Sequence, residues 1–351
     1  MTGPVSGAAG LTPAWLTEAL APHLDGGKVT SVRAEPVGTG QVSDSLRLHL
    51  SYEGPAGLPA TMVAKVPAAD PASRQAARTI RTYEVEASFY AGIAPRLDAS
   101  VPACHFVAYD GERDDYVVLL EDLAPAEPGD QLAGVPAADA GAAVEEMAAV
   151  HAAGWNDPEL AALGWLNRHD AGTAEFTTAM VTDLYGGFRE RYAERLAPGT
   201  AELIEEFLPS MGAYLAPRGG PLTLVHGDFR ADNLMFGAGR PAVLDWQTCV
   251  YGPGLSDLAY FLGSSLPVPV RREHEQALVQ RYHAALTARG VELAWDDCWN
   301  DYRTYAFHGI VMAIGAAMLV ERTERGDTMF CTMTDRHAGH ARDLEALALL
   351  P

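Results

Sequence analysis

The sequence predicts an α+β fold in two lobes, an antiparallel-sheet N-terminal lobe over residues 1–124 and a mainly helical C-terminal lobe over residues 125–351. Three observations predict it. Apolar and polar residues alternate over residues 29–50, which is the period of a strand. Beyond residue 141 they recur at helical spacing instead, as at Val144, Met147, Ala148 and His151. Between these regions APAEPGDQLAGVPAADAG (124–141) has no period and is rich in Pro, Gly and Ala, the composition of a boundary.

The elements follow in order. LTPAWLTEALAPHL (11–24) reads as a capped helix, with Thr12 accepting the free amides, Pro13 at the first helical position and Leu11 stapling onto Leu16. VTSVRAEPVGTGQVSDSLRLHL (29–50) is a hairpin around Gly38 and Gly40, and TMVAKV (61–66) is a third strand carrying Lys65. Residues 71–97 read as helical. CHFVAYDGERDDYVVLLEDL (104–123) reads as two strands joined across a turn at Asp110-Gly111. In the second lobe PLTLVHGDFRADNLMF (221–236) and PAVLDWQ (241–247) form a β hairpin around GAGR, and helical patterns resume at Leu255. The apolar run from Tyr305 to Val320 is shorter than the ~18–20 residues that cross a bilayer, so it is expected to be a buried helix.

Charge narrows the function. Twenty-five Lys and Arg against 46 Asp and Glu give a net charge of -21, and such a surface repels phosphate backbones and anionic lipid. No nucleic-acid or membrane partner is expected, and oligomeric state is left open. The first basic residue is Lys28, too late for a secretory leader, and Cys104, Cys249, Cys298 and Cys331 form no CxxC pair. Together these predict a cytoplasmic protein without a zinc site or a disulfide framework.

The chemistry concentrates in LVHGDFRADNLMF. An apolar strand delivers His226, Gly227 and Asp228 into a turn, Asn233 follows five residues after Asp228, and a second run brings Asp245. Two carboxylates and an amide offer hard oxygen ligands for a divalent ion and a base for a hydroxyl proton. The D-x-x-x-x-N spacing with a later Asp matches the template in which the first Asp takes the acceptor proton while the Asn and second Asp hold Mg²⁺.

With these motifs the chain resembles the aminoglycoside phosphotransferase and choline kinase superfamily, the small-molecule branch of the protein-kinase-like fold. GTGQVSDSLRL, YEVEASFY, VLLEDL, HGDFRADN and GPGLSDLAYFL are most similar to the ecdysteroid-kinase-like families and their bacterial relatives. The resemblance implies a two-lobed protein-kinase-like fold and an ATP- (or other NTP-) and Mg²⁺-dependent transfer of phosphate to a small-molecule hydroxyl. The acceptor could be a cationic antibiotic, a sugar or an apolar alcohol such as a steroid.

It also implies roles. Lys65 would hold the nucleotide's α and β phosphates, partnered by Glu86 rather than Glu84; Gly38, Gly40 and Ser43 would cover the phosphates; the backbone of Glu121 and Leu123 would meet the adenine edge. Asp228 would be the base, Asn233 and Asp245 the Mg²⁺ ligands, Asp257 a brace for the catalytic loop, and His226 a loop-bracing residue. His151, on an apolar face, reads as a satisfied core histidine. Two rival functions are a nucleotide-binding pseudokinase or scaffold, and a metal-dependent phosphohydrolase using His226, Asp228 and Asp245.

Overall fold

The computed structural model describes residues 2–38, 42–55 and 57–351. It is an α+β fold, as the sequence predicts, and it divides into two compact units. The first comprises residues 1–97, 101–125 and 244–248; the second comprises residues 98–100, 126–243 and 249–351.

The first unit opens with helix α1 (Pro13–Ala19), whose first turn is closed by Thr12 Oγ1 accepting from the Trp15 N–H at 3.2 Å. Strands β1 (Lys28–Pro36), β2 (Ser43–Glu53) and β3 (Thr61–Pro67) follow. Helices α2 (Pro71–Thr79) and α3 (Thr82–Ser88) come next, then strands β4 (Cys104–Asp110) and β5 (Asp115–Glu121). The strands form one antiparallel sheet in the order β1-β2-β3-β5-β4. Strand alternation divides its residues between two faces. Leu46, Leu48, Leu50, Met62, Ala64, Val66, Val117 and Leu119 join Leu11, Leu16 and Leu20 in one core, while Lys65 and Tyr116 take the opposite face.

Residues 71–97 are not the single helix that their period suggests. The chain breaks at Arg81, which adopts a left-handed φ of 60°, and after α3 it widens into a π turn (Phe89–Ile93) and then tightens into a 3₁₀ turn (Ala94–Arg96). The reason is burial. Helix α2 buries Ala77, whereas α3 buries Tyr83, Val85, Glu86 and Ala87, and the left-handed residue turns the chain from one requirement to the other. Residues 244–248 are anchored in this unit by Trp246, fully buried with its ring stacked on Phe89 at 3.9 Å and 8°.

The second unit begins with the two-residue strand β6 (Glu127–Pro128) and the long helix α4 (Ala137–Gly154), where Val144, Met147, Ala148 and His151 are all buried. Helix α5 (Pro158–Ala162), strand β7 (Asn167–Arg168) and helices α6 (Ala171–Tyr192), α7 (Thr200–Phe207) and α8 (Met211–Leu215) lead to strands β8 (Thr223–Val225), β9 (Leu234–Phe236), β10 (Ala242–Val243) and β11 (Val250–Gly252). Helices α9 (Leu255–Ser265), α10 (Val268–Ala288), α11 (Trp295–Thr304), α12 (His308–Leu319) and α13 (Glu324–Asp343) complete it.

The expected hairpin is more divided than its apolar runs suggest. β9 and β10 form the hairpin with β6 alongside, but β8 leaves it to pair with β11 in a second sheet ordered β7-β11-β8. His226 to Arg230 therefore lie in a loop that crosses from one small sheet to the other. The 305–320 run is a 3₁₀ turn followed by α12, with Ile310, Val311, Ala313 and Ile314 buried. Among the described residues no helix is long and apolar enough to cross a membrane.

Replacing Trp246 by Ala removes a large, fully buried ring. The first unit is expected to lose about 3–5 kcal/mol, measured by chemical denaturation, with Trp246→Phe losing less.

Candidate active site

In the first unit β3 delivers Lys65 to the sheet face covered by α3, and the amine is almost wholly buried. Its Nζ donates to Glu86 Oε1 at 2.5 Å and to Asp245 Oδ1 at 2.8 Å. Glu86, fully buried, also accepts from the Tyr116 hydroxyl at 3.4 Å. Glu84, the other helix glutamate, pairs with Arg81 at 2.9 Å instead. Burial pushes the Glu86 carboxyl up to about 7 despite the opposing pull of Lys65. For Lys65 burial works against the charge, but the Asp245 and Glu86 carboxylates outweigh it and hold the amine above the ordinary lysine range.

Asp245 follows β10 in a left-handed turn at φ 63°. Gly38 also has a left-handed φ, 73°, with nothing within 4 Å of where a Cβ would stand, so conformation rather than space calls for glycine there. Gly40 lies outside the described residues. Ser43 is buried and its hydroxyl accepts from Gln247 Nε2 at 3.3 Å. Glu121 ends β5 with its N–H donated to the Ala103 carbonyl at 2.8 Å, so that N–H is already engaged within the sheet; Leu123 lies two residues further on.

The second unit holds Asp228 and Asn233. Asp228 Oδ1 accepts from the Tyr260 hydroxyl at 3.0 Å, and Oδ2 accepts from Arg230 Nε at 3.1 Å and Asn233 Nδ2 at 2.8 Å. Asn233 Nδ2 also donates to the Asp228 backbone carbonyl at 2.8 Å. Burial, then the Asp228 charge, push the Tyr260 hydroxyl well above its ordinary value, so it remains a donor. Arg230 also reaches Asp232 Oδ2 at 2.6 Å, and these carboxylates keep it cationic against the cost of its burial.

The loop itself hangs on Asp257, whose oxygens accept from the His226 N–H at 2.7 Å and the Gly227 N–H at 3.0 Å. Burial opposes the Asp257 charge, but His151 and His226 hold its carboxyl below the ordinary range. His151 is fully buried between Asp257 (3.3 Å) and the Tyr282 hydroxyl (2.7 Å), a satisfied core histidine. His226 Nδ1 accepts from the Asp228 N–H at 3.2 Å, which braces the turn.

Sequence reading passed over Tyr260, Arg230 and Gln247. Tyr260 had a usable signal, since it follows Asp257 by three residues on a helix and so shares its face.

In the second unit Asn233 donates its amide N–H groups to Asp228, which leaves Oδ1 as a hard oxygen that could ligate a cation; in the first unit Asp245 offers a carboxylate of the same hard type. Among the described residues no three His, Cys, Asp or Glu cluster as a metal cage. Mg²⁺ commonly needs none, being held by one or two side chains with waters and substrate phosphates.

The model of the ecdysteroid kinase-like family matches residues 38–293, a span that includes Lys65, Glu86, Asp228, Asn233 and Asp245. The chain belongs to the ecdysteroid kinase-like family. Over a stretch of 106 residues (26% of the chain, 10% of the relative) the chain is 47% identical to acyl-CoA dehydrogenase family member 10 of Mus musculus. A further similarity, 34% over 104 residues (29% of the chain, 30% of the relative), is to the N-acetylmuramate/N-acetylglucosamine kinase of Neisseria meningitidis serogroup B. The chain thus spans three tenths or less of the length of these relatives. Among solved structures, the choline kinase of Cryptosporidium parvum Iowa II aligns with a TM-score of 0.56 at 10% identity, covering 91% of this chain and 92% of that one. The microcompartment-associated aminopropanol kinase aligns with a TM-score of 0.51 at 14% identity, covering 95% and 99%. At such identities the likeness shows the fold alone, a protein-kinase-like one.

Two outcomes follow from this geometry. Between pH about 4.5 and 7 the native protein keeps a proton on Glu86 that the unfolded chain releases, so Glu86 makes stability fall as pH rises through that window. Urea midpoints across it are expected to show this fall in the wild type and to lose that component in Glu86→Gln. Asp257→Ala strands two buried N–H groups and His151, and is expected to cost about 3–5 kcal/mol in denaturant titrations.

Proposed function

We propose that the chain is an ATP- and Mg²⁺-dependent phosphotransferase that moves the γ-phosphate to a hydroxyl of a small molecule. The observation that carries this reading is the buried Lys65 ammonium, held by Glu86 and Asp245 in a chain that also fixes an Asp228–Asn233 pair. A compact ammonium pinned by a buried carboxylate is suited to phosphate oxygens, which need a point charge at a set place.

In the proposed reaction Lys65 offsets charge on the triphosphate, with the amides around Gly38 adding donors. Asp228 orients the acceptor hydroxyl and takes its proton as the acceptor oxygen bonds to the γ-phosphorus and the bond to the ADP oxygen breaks. Three donors hold the carboxylate in one orientation, so positioning rather than covalent chemistry supplies most of the rate. Asn233 and Asp245 would hold Mg²⁺, which supplies charge neutralisation on the phosphates. His226 is engaged in bracing the loop, which favours this reading over a hydrolase that needs it as a metal ligand.

The test is substrate-dependent ADP release across aminoglycosides, amino sugars and sterols, followed by mass detection of a product heavier by one phosphoryl group. Asp228→Asn is expected to lose ~10²-fold or more in turnover with nucleotide binding retained. Near-normal turnover in that variant would overturn the assignment. Nucleotide binding without turnover on any acceptor would indicate a pseudokinase, and phosphoester hydrolysis without ATP a hydrolase.

A further inference from the structure

Tyr83 lies on α3 three residues before Glu86, so the two share a helix face. Its hydroxyl donates to the Val42 carbonyl at 2.6 Å and accepts from the Ala68 N–H at 3.1 Å. Val42 leads from the glycine-containing stretch into β2, and Ala68 follows β3, the strand that carries Lys65. The ring is 1% exposed and stacks on Tyr116 at 4.3 Å and 8°, and the Tyr116 hydroxyl donates to Glu86. Two further bonds hold the same stretch: Gln247 Nε2 to Ser43 Oγ at 3.3 Å, and the Ala69 N–H to Asp44 Oδ2 at 3.0 Å. Beside it opens a cavity of about 230 Å³ lined in part by Val37, Gly38, Ser43 and Asp44.

We propose that Tyr83 is a positioning residue for the nucleotide, a pin that fixes Val42 and the start of β2 relative to the Lys65–Glu86 pair. The proposal rests on the phosphotransferase reading above. One hydroxyl that donates to one backbone segment and accepts from another holds both at a fixed separation, and its burial removes the water that would compete. Because Glu86 and Tyr83 share α3, that helix sets the lysine and the start of β2 together. A shift of α3 would displace both at once, whereas the hydroxyl by itself governs only how Val42 is held against Ala68. Tyr83→Phe separates the two effects, since it keeps the ring and its stack on Tyr116.

The experiment compares wild type, Tyr83→Phe and Tyr192→Phe by initial rates with Mg·ATP, thermal melting, and amide hydrogen exchange at residues 42–44. Tyr192→Phe is the control because it removes an equally buried hydroxyl bond, to Asp327 at 2.8 Å, in the other unit. Tyr83→Phe is expected to raise the KM for ATP about 10-fold while kcat changes less than about threefold, and to speed exchange at residues 42–44. The control is expected to lower Tm without moving KM. An unchanged KM in Tyr83→Phe, or parallel changes of KM in both variants, would overturn the proposal. Failure of wild type to bind any nucleotide would defeat the phosphotransferase reading itself. Exchange at residues 42–44 without nucleotide would then still decide the pin, and no effect of Tyr83→Phe there would overturn it.

Discussion

A buried ammonium facing two carboxylates is the constraint on which the first unit is built. Lys65 could not stay charged at that burial without Glu86 and Asp245, and each partner reaches it through a separate structural device. Strand parity turns Lys65 away from the core that Met62, Ala64 and Val66 enter. The left-handed break at Arg81 lets α3 present Glu86 inward, although residues 71–97 have one continuous helical period. Trp246, stacked on Phe89, fastens the five-residue segment that carries Asp245. Removing any of these would leave charge in a low-dielectric place without its counter-charge.

The second unit solves a similar problem with backbone instead of ammonium. Asp257, on the fully buried helix α9, spends its oxygens on the N–H groups of His226 and Gly227 and on His151, which in turn meets Tyr282 of α10. One carboxylate thereby ties α4, α9 and α10 to the turn that presents Asp228. One turn further along α9, Tyr260 reaches Asp228 itself, so a single helix positions both the loop's backbone and its side chain. The left-handed φ of 83° at Gly227 allows the chain to turn sharply between these two grips.

Much of this was legible in residues alone. Thr12-Pro13 marks its helix start, period-2 alternation marks β1 to β3, and the HGDFRADN string with Asp245 marks the candidate site residues, because short-range sterics and side-chain type decide those features locally. The family resemblance favoured Glu86, which pairs with Lys65, over Glu84, which pairs with Arg81. Less legible were the partners. Gln247 and Tyr83 look like ordinary polar and aromatic residues until the fold brings them to Ser43 and Val42.

By itself, then, the sequence determined the α+β class, the position of most elements and the residue types available for phosphate and metal chemistry, since these depend on local period, turn residues and motif spacing. Only the tertiary structure decided where one helix becomes two, which small sheet takes β8, and that residues 244–248 belong with the first unit. Those outcomes depend on long-range burial and on the pairing of buried charges. Neighbours in the chain carry no record of either.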